Sequence, residues 1–126
     1  MKEIVASSMA PKPIGPYSQG VVSGNYIFLS GQVGRKYDAT ELEEGVAAQT
    51  RQTILNIKAV LAEKNLTLDN VVKTSVFLAD MNDFAEMNGV YAEFFDENSA
   101  PARTTVQVAA LPLAADVEID VMASLD

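Results

Sequence analysis

Arg103 is the only lysine or arginine after Lys73, in a stretch otherwise rich in aspartate and glutamate. A guanidinium group presents a planar fork that matches a carboxylate with two parallel hydrogen bonds, each charge-assisted contact contributing about 1.5 to 3 kcal/mol. Arg103 is therefore a candidate for binding a substrate carboxylate. Its position also agrees with a surface ion pair, which is the commoner role of an exposed arginine.

Glu118 and Asp120 alternate with β-branched residues between Val117 and Val121, so a strand here places both carboxylates on one face. A solvated outer face explains this pattern. If the face is instead buried against a neighbouring subunit, Glu118 must be paired or have a perturbed pKa, and such a carboxylate can act as a general base. The pattern leaves both interpretations open.

The remaining chemical groups narrow the choice of reaction. The chain has no cysteine and no histidine, which excludes thiolate nucleophiles and removes the usual acid and base of neutral pH. Ser30-Gly31-Gln32 lacks the elbow motif of serine hydrolases, so serine nucleophile chemistry is not expected. The carboxylates show no spacing typical of metal sites, so no metal is expected. The net charge of -8 opposes nucleic-acid binding.

The elements that must position these residues follow from hydrophobic periodicity. Residues 26–33 are rich in β-branched and aromatic side chains and predict a strand with large apolar groups on both faces. Apolar residues recur at helical spacing over residues 46–63 and predict a helix that ends before Asn65. Residues 71–79 predict a second long strand.

A second helix is predicted to begin after a cap at Asn82 or Asp83. Its aromatic stripe is typical of a core-facing surface and comprises Phe84, Met87, Tyr91, Phe94 and Phe95. Residues 104–109 and 117–123 predict two strands paired with each other around Leu111-Pro112.

The predicted elements form one α+β domain spanning residues 1–126. Two helices cover only one face of such a sheet, yet the first long strand presents apolar groups on both faces, so we expect oligomerisation. No apolar stretch approaches the roughly 18 residues of a membrane span, and the start does not read as a secretory signal. The expected location is the cytoplasm, with no membrane partner.

Four short motifs in order closely resemble the reactive intermediate deaminase family, also called the YjgF or L-PSP endoribonuclease family. The resemblance runs nearly the whole chain and rests on Ile14-Gly15-Pro16-Tyr17-Ser18-Gln19, Ser30-Gly31-Gln32, Asn82-Asp83-Phe84-Ala85 with Asn88 and Tyr91, and Pro101-Ala102-Arg103 with Glu118.

The resemblance implies a chorismate-mutase-like fold of the bacillus type, with two helices on one face of a mixed sheet. It also implies a homotrimer with active sites between subunits. The implied activity is hydrolysis of 2-iminopropanoate and 2-iminobutanoate to 2-keto acids and ammonia. No cofactor is implied, and the imines are products of pyridoxal phosphate dehydratases, which gives a functional link to those enzymes.

The same resemblance implies a role for each matching residue. Arg103 would bind the substrate carboxylate, and Glu118 would orient and deprotonate the attacking water. Thr105 stands where many members have cysteine and would act through its backbone. The positions that line or support the cleft are Tyr17, Ser30, Gly31 and Asn88.

The sequence leaves two other functions open. The same cleft would also serve a non-catalytic module that senses a small keto or amino acid and regulates a partner protein. Ribonuclease activity or translation inhibition has been attached to some relatives, but the acidic charge and the absence of histidine count against it.

Overall fold

Six strands form one mixed sheet, and two helices pack on one of its faces, in the computed structural model of residues 1–126. In chain order the elements are β1 (Glu3–Val5), β2 (Gly20–Ser23), β3 (Tyr26–Val33), α1 (Val46–Ala62), β4 (Val71–Leu78), α2 (Phe84–Phe94), β5 (Ala102–Gln107) and β6 (Val117–Ser124). The strand order across the sheet is β1-β2-β3-β6-β4-β5, and only β4 and β5 are parallel. The predicted α+β class with a mixed sheet and two helices is confirmed.

The covered face of the sheet, on which α1 and α2 pack, holds the apolar core. Strict alternation along β6 buries one residue in two, because successive side chains of a strand point to opposite faces. The buried residues of β6 are Val117, Ile119, Val121 and Ala123. They meet an apolar stripe of α1 formed by Ile54, Ile57, Val60 and Leu61.

Strand β3 has the predicted bounds but contains a bulge that the sequence pattern does not reveal. Leu29 pairs with Val121 and Gln32 pairs with Ile119, so β3 carries one more residue than β6 between these two pairs. The bulge places Gln32 on the covered face, where it is 6% exposed. Gln32 therefore shares a face with Ile27 and Leu29, whereas simple alternation along β3 would place it with Tyr26 and Phe28.

Both helices lie where periodicity predicts them. Helix α1 ends at Ala62, and Asn65 then adopts a left-handed φ of 59°, which asparagine tolerates better than most residues. Helix α2 begins after Asp83, one of the two predicted cap positions, but the Asp83 side chain makes no capping hydrogen bond. The Asp80 side chain accepts a hydrogen bond from the Asn82 amide at 2.9 Å and caps the short 3-10 turn Met81–Asp83 that leads into α2.

The predicted pairing of the last two strands with each other is wrong. β5 and β6 lie on opposite edges of β4, and both pair with β4 rather than together. The connection over residues 108–116 crosses the end of β4, where the Val108 amide bonds to the Leu78 carbonyl and the Ala79 amide to the Asp116 carbonyl. β4 therefore lies between β6 and β5 and pairs with one of them along each edge.

The open face of the sheet, opposite the helices, carries apolar side chains without cover in the single chain. Tyr26, Phe28 and Val106 are 43%, 42% and 39% exposed, and Phe77 and Met122 lie half-buried between them. A cluster of exposed apolar side chains on one face of a sheet is typical of an interface. Neither helix is long and apolar enough to cross a membrane.

Candidate active site

Glu118 lies on the open face of β6, beside the bulge of β3. It pairs with Phe77 on one side and Val33 on the other, and its carboxylate lies against Gly31. A Cβ atom at Gly31 would stand 2.7 Å from Oε2 of Glu118, a separation that real contacts do not reach. A larger residue at this position would have to displace the carboxylate from where it lies, and glycines in strands often allow such a close approach.

The environment of Glu118 makes it a stronger base than an exposed glutamate. Burial raises the pKa of the Glu118 carboxyl above its ordinary value, and the neighbouring Asp120 carboxylate raises it further. No lysine or arginine forms an ion pair with it. A half-buried carboxylate without a cation is suited to taking a proton from water.

A cleft of about 470 Å³ opens beside Glu118. Tyr17 lies in its wall, together with the apolar side chains of Ile14 and Leu113. Lys12 and Arg35 supply positive charge to the same cleft. No feature of the sequence pattern marks Lys12 as part of this cleft.

Hydrogen bonds from two polar side chains fix the segment between β1 and β2, which carries Tyr17. The buried Gln19 amide donates to the carbonyl of Ala10 at 3.2 Å and to that of Pro11 at 2.8 Å. The Ser30 hydroxyl donates to the Ser18 carbonyl at 2.6 Å. This hydrogen bond fixes the backbone next to Tyr17, and the role of Ser30 in supporting the cleft stays a prediction.

The loop between β5 and β6 borders the cleft in a strained conformation. Leu113 and Ala114 have φ angles of 61° and 56°, in the left-handed region that favours glycine. Such a conformation costs on the order of 1 to 3 kcal/mol for each non-glycine residue, and it concentrates at functional sites. The sequence does not predict this conformation, since neither leucine nor alanine is a residue type that favours a left-handed φ.

Arg103 lies on the covered face of β5, held by groups from α2. Its Nη1 donates to Oδ1 of Asn88 at 2.6 Å, and its guanidinium carbon lies 4.7 Å from the ring centre of Tyr91 and 5.6 Å from that of Phe84. Tyr91 is itself fixed by a 2.9 Å hydrogen bond with the Thr74 hydroxyl. These contacts orient the guanidinium within reach of solvent.

No carboxylate of the chain pairs with Arg103. The ion pairs are those of Arg51 with Glu93 and of Lys64 with Glu3. The alternative of a surface ion pair is therefore wrong within the single chain. Asn88 occupies one nitrogen and leaves the other donors of the fork available to an anion.

Thr105 lies two residues along β5 from Arg103, on the same face of the strand. It pairs with Val76, and its Oγ1 is buried without a hydrogen-bond partner. β5 is an edge strand of the sheet, so the backbone amide and carbonyl groups along its outer edge are free. The predicted action of Thr105 through its backbone remains a prediction.

The predicted site residues fall into two separate groups. Arg103 pairs with Thr74, which faces the helices, whereas Glu118 pairs with Phe77, which faces away from them. Paired residues of neighbouring strands share a face, so the two charged groups lie on opposite faces of the sheet. A single chain cannot present both to one small molecule. No cluster of acidic side chains is arranged to hold a metal.

A family model described as endoribonuclease L-PSP matches residues 7–125. The chain belongs to the L-PSP, or reactive intermediate deaminase, family. A RutC family protein of Pyrococcus horikoshii is 48% identical over 98% of both chains. The 2-iminobutanoate/2-iminopropanoate deaminase of Escherichia coli K12 is 44% identical over 98% of both chains. Within this L-PSP family, the crystal structure of E. coli TdcF with bound serine has a TM-score of 0.91 at 40% identity, covering 97% of this chain and 98% of that one.

Proposed function

We propose that the protein is a hydrolytic deaminase that converts 2-imino acids, such as 2-iminopropanoate and 2-iminobutanoate, to 2-keto acids and ammonia. The observation that carries this proposal is the Arg103 guanidinium, which Asn88 and two aromatic rings orient but no carboxylate neutralises. A relative at 44% identity bears the name of this activity. The domain that performs it spans residues 1–126.

The active site is completed by a second copy of the chain. One copy supplies Arg103, with Asn88 and Thr105 beside it, and the next supplies Glu118 and the cleft built by Tyr17, Ser30 and Gly31. Three copies, packed through their open faces in the chorismate-mutase-like manner, form a closed ring with three such sites. The uncovered Tyr26 and Phe28 support this assembly, since burial of their rings removes apolar surface from water.

The reaction follows from the chemistry of the two charged groups. Arg103 binds the substrate carboxylate through two parallel hydrogen bonds and thereby fixes the imine carbon near Glu118. Glu118 takes a proton from water as the oxygen attacks that carbon, which yields a tetrahedral carbinolamine. Glu118 then passes this proton to the nitrogen. As ammonia leaves, the carbon–oxygen double bond forms and Glu118 takes the hydroxyl proton, which it releases to ammonia or water, so that the carboxylate is restored. Because the protonated imine is already electrophilic, the groups of the chain suffice for this step.

The test couples the protein to a serine or threonine dehydratase and follows ammonia and 2-keto acid release. The wild type should accelerate release above the spontaneous rate, whereas Arg103→Ala and Glu118→Gln should lose at least about 100-fold in kcat/KM. Arg51→Ala is the matched control, because it removes a surface arginine paired with Glu93 away from the site. Absence of acceleration by the wild type would reject the deaminase function.

A non-catalytic binding module is the second candidate, and the serine-bound TdcF structure favours it as the alternative. Such a module would bind 2-keto or amino acids through Arg103 without accelerating imine hydrolysis. Ribonuclease activity, which the family description names, fits this chain less well because of its net charge of -8 and its lack of histidine. The functional link to pyridoxal phosphate dehydratases belongs to the proposal, and the cytoplasmic location stays a prediction.

A further inference from the structure

Leu113 and Ala114 are consecutive left-handed residues in the loop that borders the Glu118 cleft. These two residues are anchored on both sides. Pro112 precedes Leu113, and the Ala114 amide bonds to the Leu111 carbonyl at 3.2 Å. Ala115, which follows Ala114, is buried at 1% exposure. The strained pair is therefore held by its surroundings, as positive φ in non-glycine residues requires.

The Leu113 side chain does not contribute to the core of the chain. It is 53% exposed and belongs to the lining of the cleft, whereas the core cluster contains neither Leu113 nor its neighbour Ala114. Glycine at this position would relieve the strain and remove no core contact. The Leu113 side chain lines the cleft although its backbone conformation is unfavourable. A contact between this side chain and a ligand would explain why leucine occupies the position.

Both apolar and charged side chains line the cleft. Leu113, Ile14 and Tyr17 contribute large apolar or aromatic groups, while Lys12 and Arg35 contribute positive charge. Ile14 is 80% exposed in the single chain, so its side chain is also available for contact. Glu118 lies in the same cleft and marks the place of the attacking water under the proposed function.

We propose that Leu113 is a specificity-determining residue, which forms with Ile14 and Tyr17 the apolar wall that receives the side chain of the 2-imino acid. The wall favours substrates with branched aliphatic side chains over 2-iminopropanoate, whose methyl group is too small to reach it. This inference rests on the proposed deaminase function and assigns the contact that ranks its substrates.

The test compares two imines that an amino acid oxidase generates in the assay, one from leucine and one from alanine. We expect the wild-type ratio of kcat/KM to favour the leucine-derived imine by about tenfold or more, since each methylene in an apolar pocket changes discrimination by about 10- to 200-fold. Leu113→Asn should reduce this ratio by about tenfold, because asparagine accepts a left-handed φ but presents a polar amide. Leu113→Gly should reduce it likewise.

Ala114→Gly is the matched control, since it changes the neighbouring left-handed residue and keeps Leu113. The ratio of this variant should equal that of the wild type. If both imines are accelerated and the Leu113 variants keep the wild-type ratio, the specificity role is overturned while the deaminase function stands. A wild-type preference for an imine with a second carboxylate, held by Lys12 or Arg35, would also overturn it. If neither imine is accelerated, the deaminase function itself fails.

Discussion

Arg103 is positioned from one side only, by groups of α2 that hold its guanidinium without neutralising it. Asn88→Ala removes the 2.6 Å hydrogen bond but leaves both aromatic rings in place. Because a hydrogen bond to a charged group contributes about 1.5 to 3 kcal/mol, we expect KM to rise about tenfold or more. Steady-state kinetics with Glu86→Ala, an exposed change on the same helix, provides the control. An unchanged KM would show that Asn88 does not position the arginine.

Gly31 and Glu118 offer a second prediction at the residue scale. Gly31→Ala places a Cβ atom 2.7 Å from the carboxylate and must displace it. A misplacement of about 1 Å can cost about 100-fold in rate, so we expect a loss of that size in kcat/KM. Gly89→Ala is the matched control, because a Cβ there meets nothing within 4 Å. The control should keep full activity and stabilise α2 by roughly 0.5 to 1 kcal/mol.

The raised pKa of Glu118 predicts opposite effects of pH on activity and on stability. The base must be ionised, so kcat/KM should fall as pH drops through a pKa above the ordinary 4.5.

The folded state favours the neutral carboxyl, so the stability that this group contributes is present below pH 4.5 and is lost as pH rises through the folded pKa. Glu118→Gln should therefore unfold at higher denaturant concentration than the wild type at pH 7. Equal midpoints at pH 7 would contradict the raised pKa.

At the scale of elements, the loop between β5 and β6 stores backbone strain that a glycine would release. Ala114 has a φ of 56°, so Ala114→Gly should raise the free energy of unfolding by about 1 kcal/mol. Ala115→Gly, one residue along at a φ of -64°, should lower it, because this buried residue has an ordinary conformation. Urea denaturation of both variants measures the difference. A loss of stability in Ala114→Gly would show that its left-handed conformation carries no strain.

The elements differ in how far sequence determines them. Periodicity predicted β3, α1, β4 and α2 to within a few residues, because burial against the core imposes the alternation of β3 and β4 and the helical stripe of α1. The partners of β5 and β6 were not predictable in this way. The two strands follow one another along the chain, which favours pairing between them. Each instead pairs with a different edge of β4. The bulge at Ser30 and Gly31 was equally hidden, since it depends on the register with β6.

At the scale of the whole molecule, the candidate residues were predictable but their arrangement was not. Resemblance to the family named Arg103 and Glu118, and the isolation of Arg103 in the sequence pointed to it independently. Their placement on opposite faces follows from sheet register, which the sequence pattern does not fix. In the proposed assembly, burial of the apolar open face between copies is favourable and brings the separate groups together.

The most direct test of a site shared between copies mixes two inactive variants. Arg103→Ala and Glu118→Gln are each purified, unfolded together in equal amounts and refolded, and native mass spectrometry verifies hybrid assemblies. In randomly mixed rings one interface in four joins an intact Arg103 to an intact Glu118, so deaminase activity should return to about a quarter of the wild-type value. Verified hybrids that remain as inactive as the separate variants would contradict a site built from two copies.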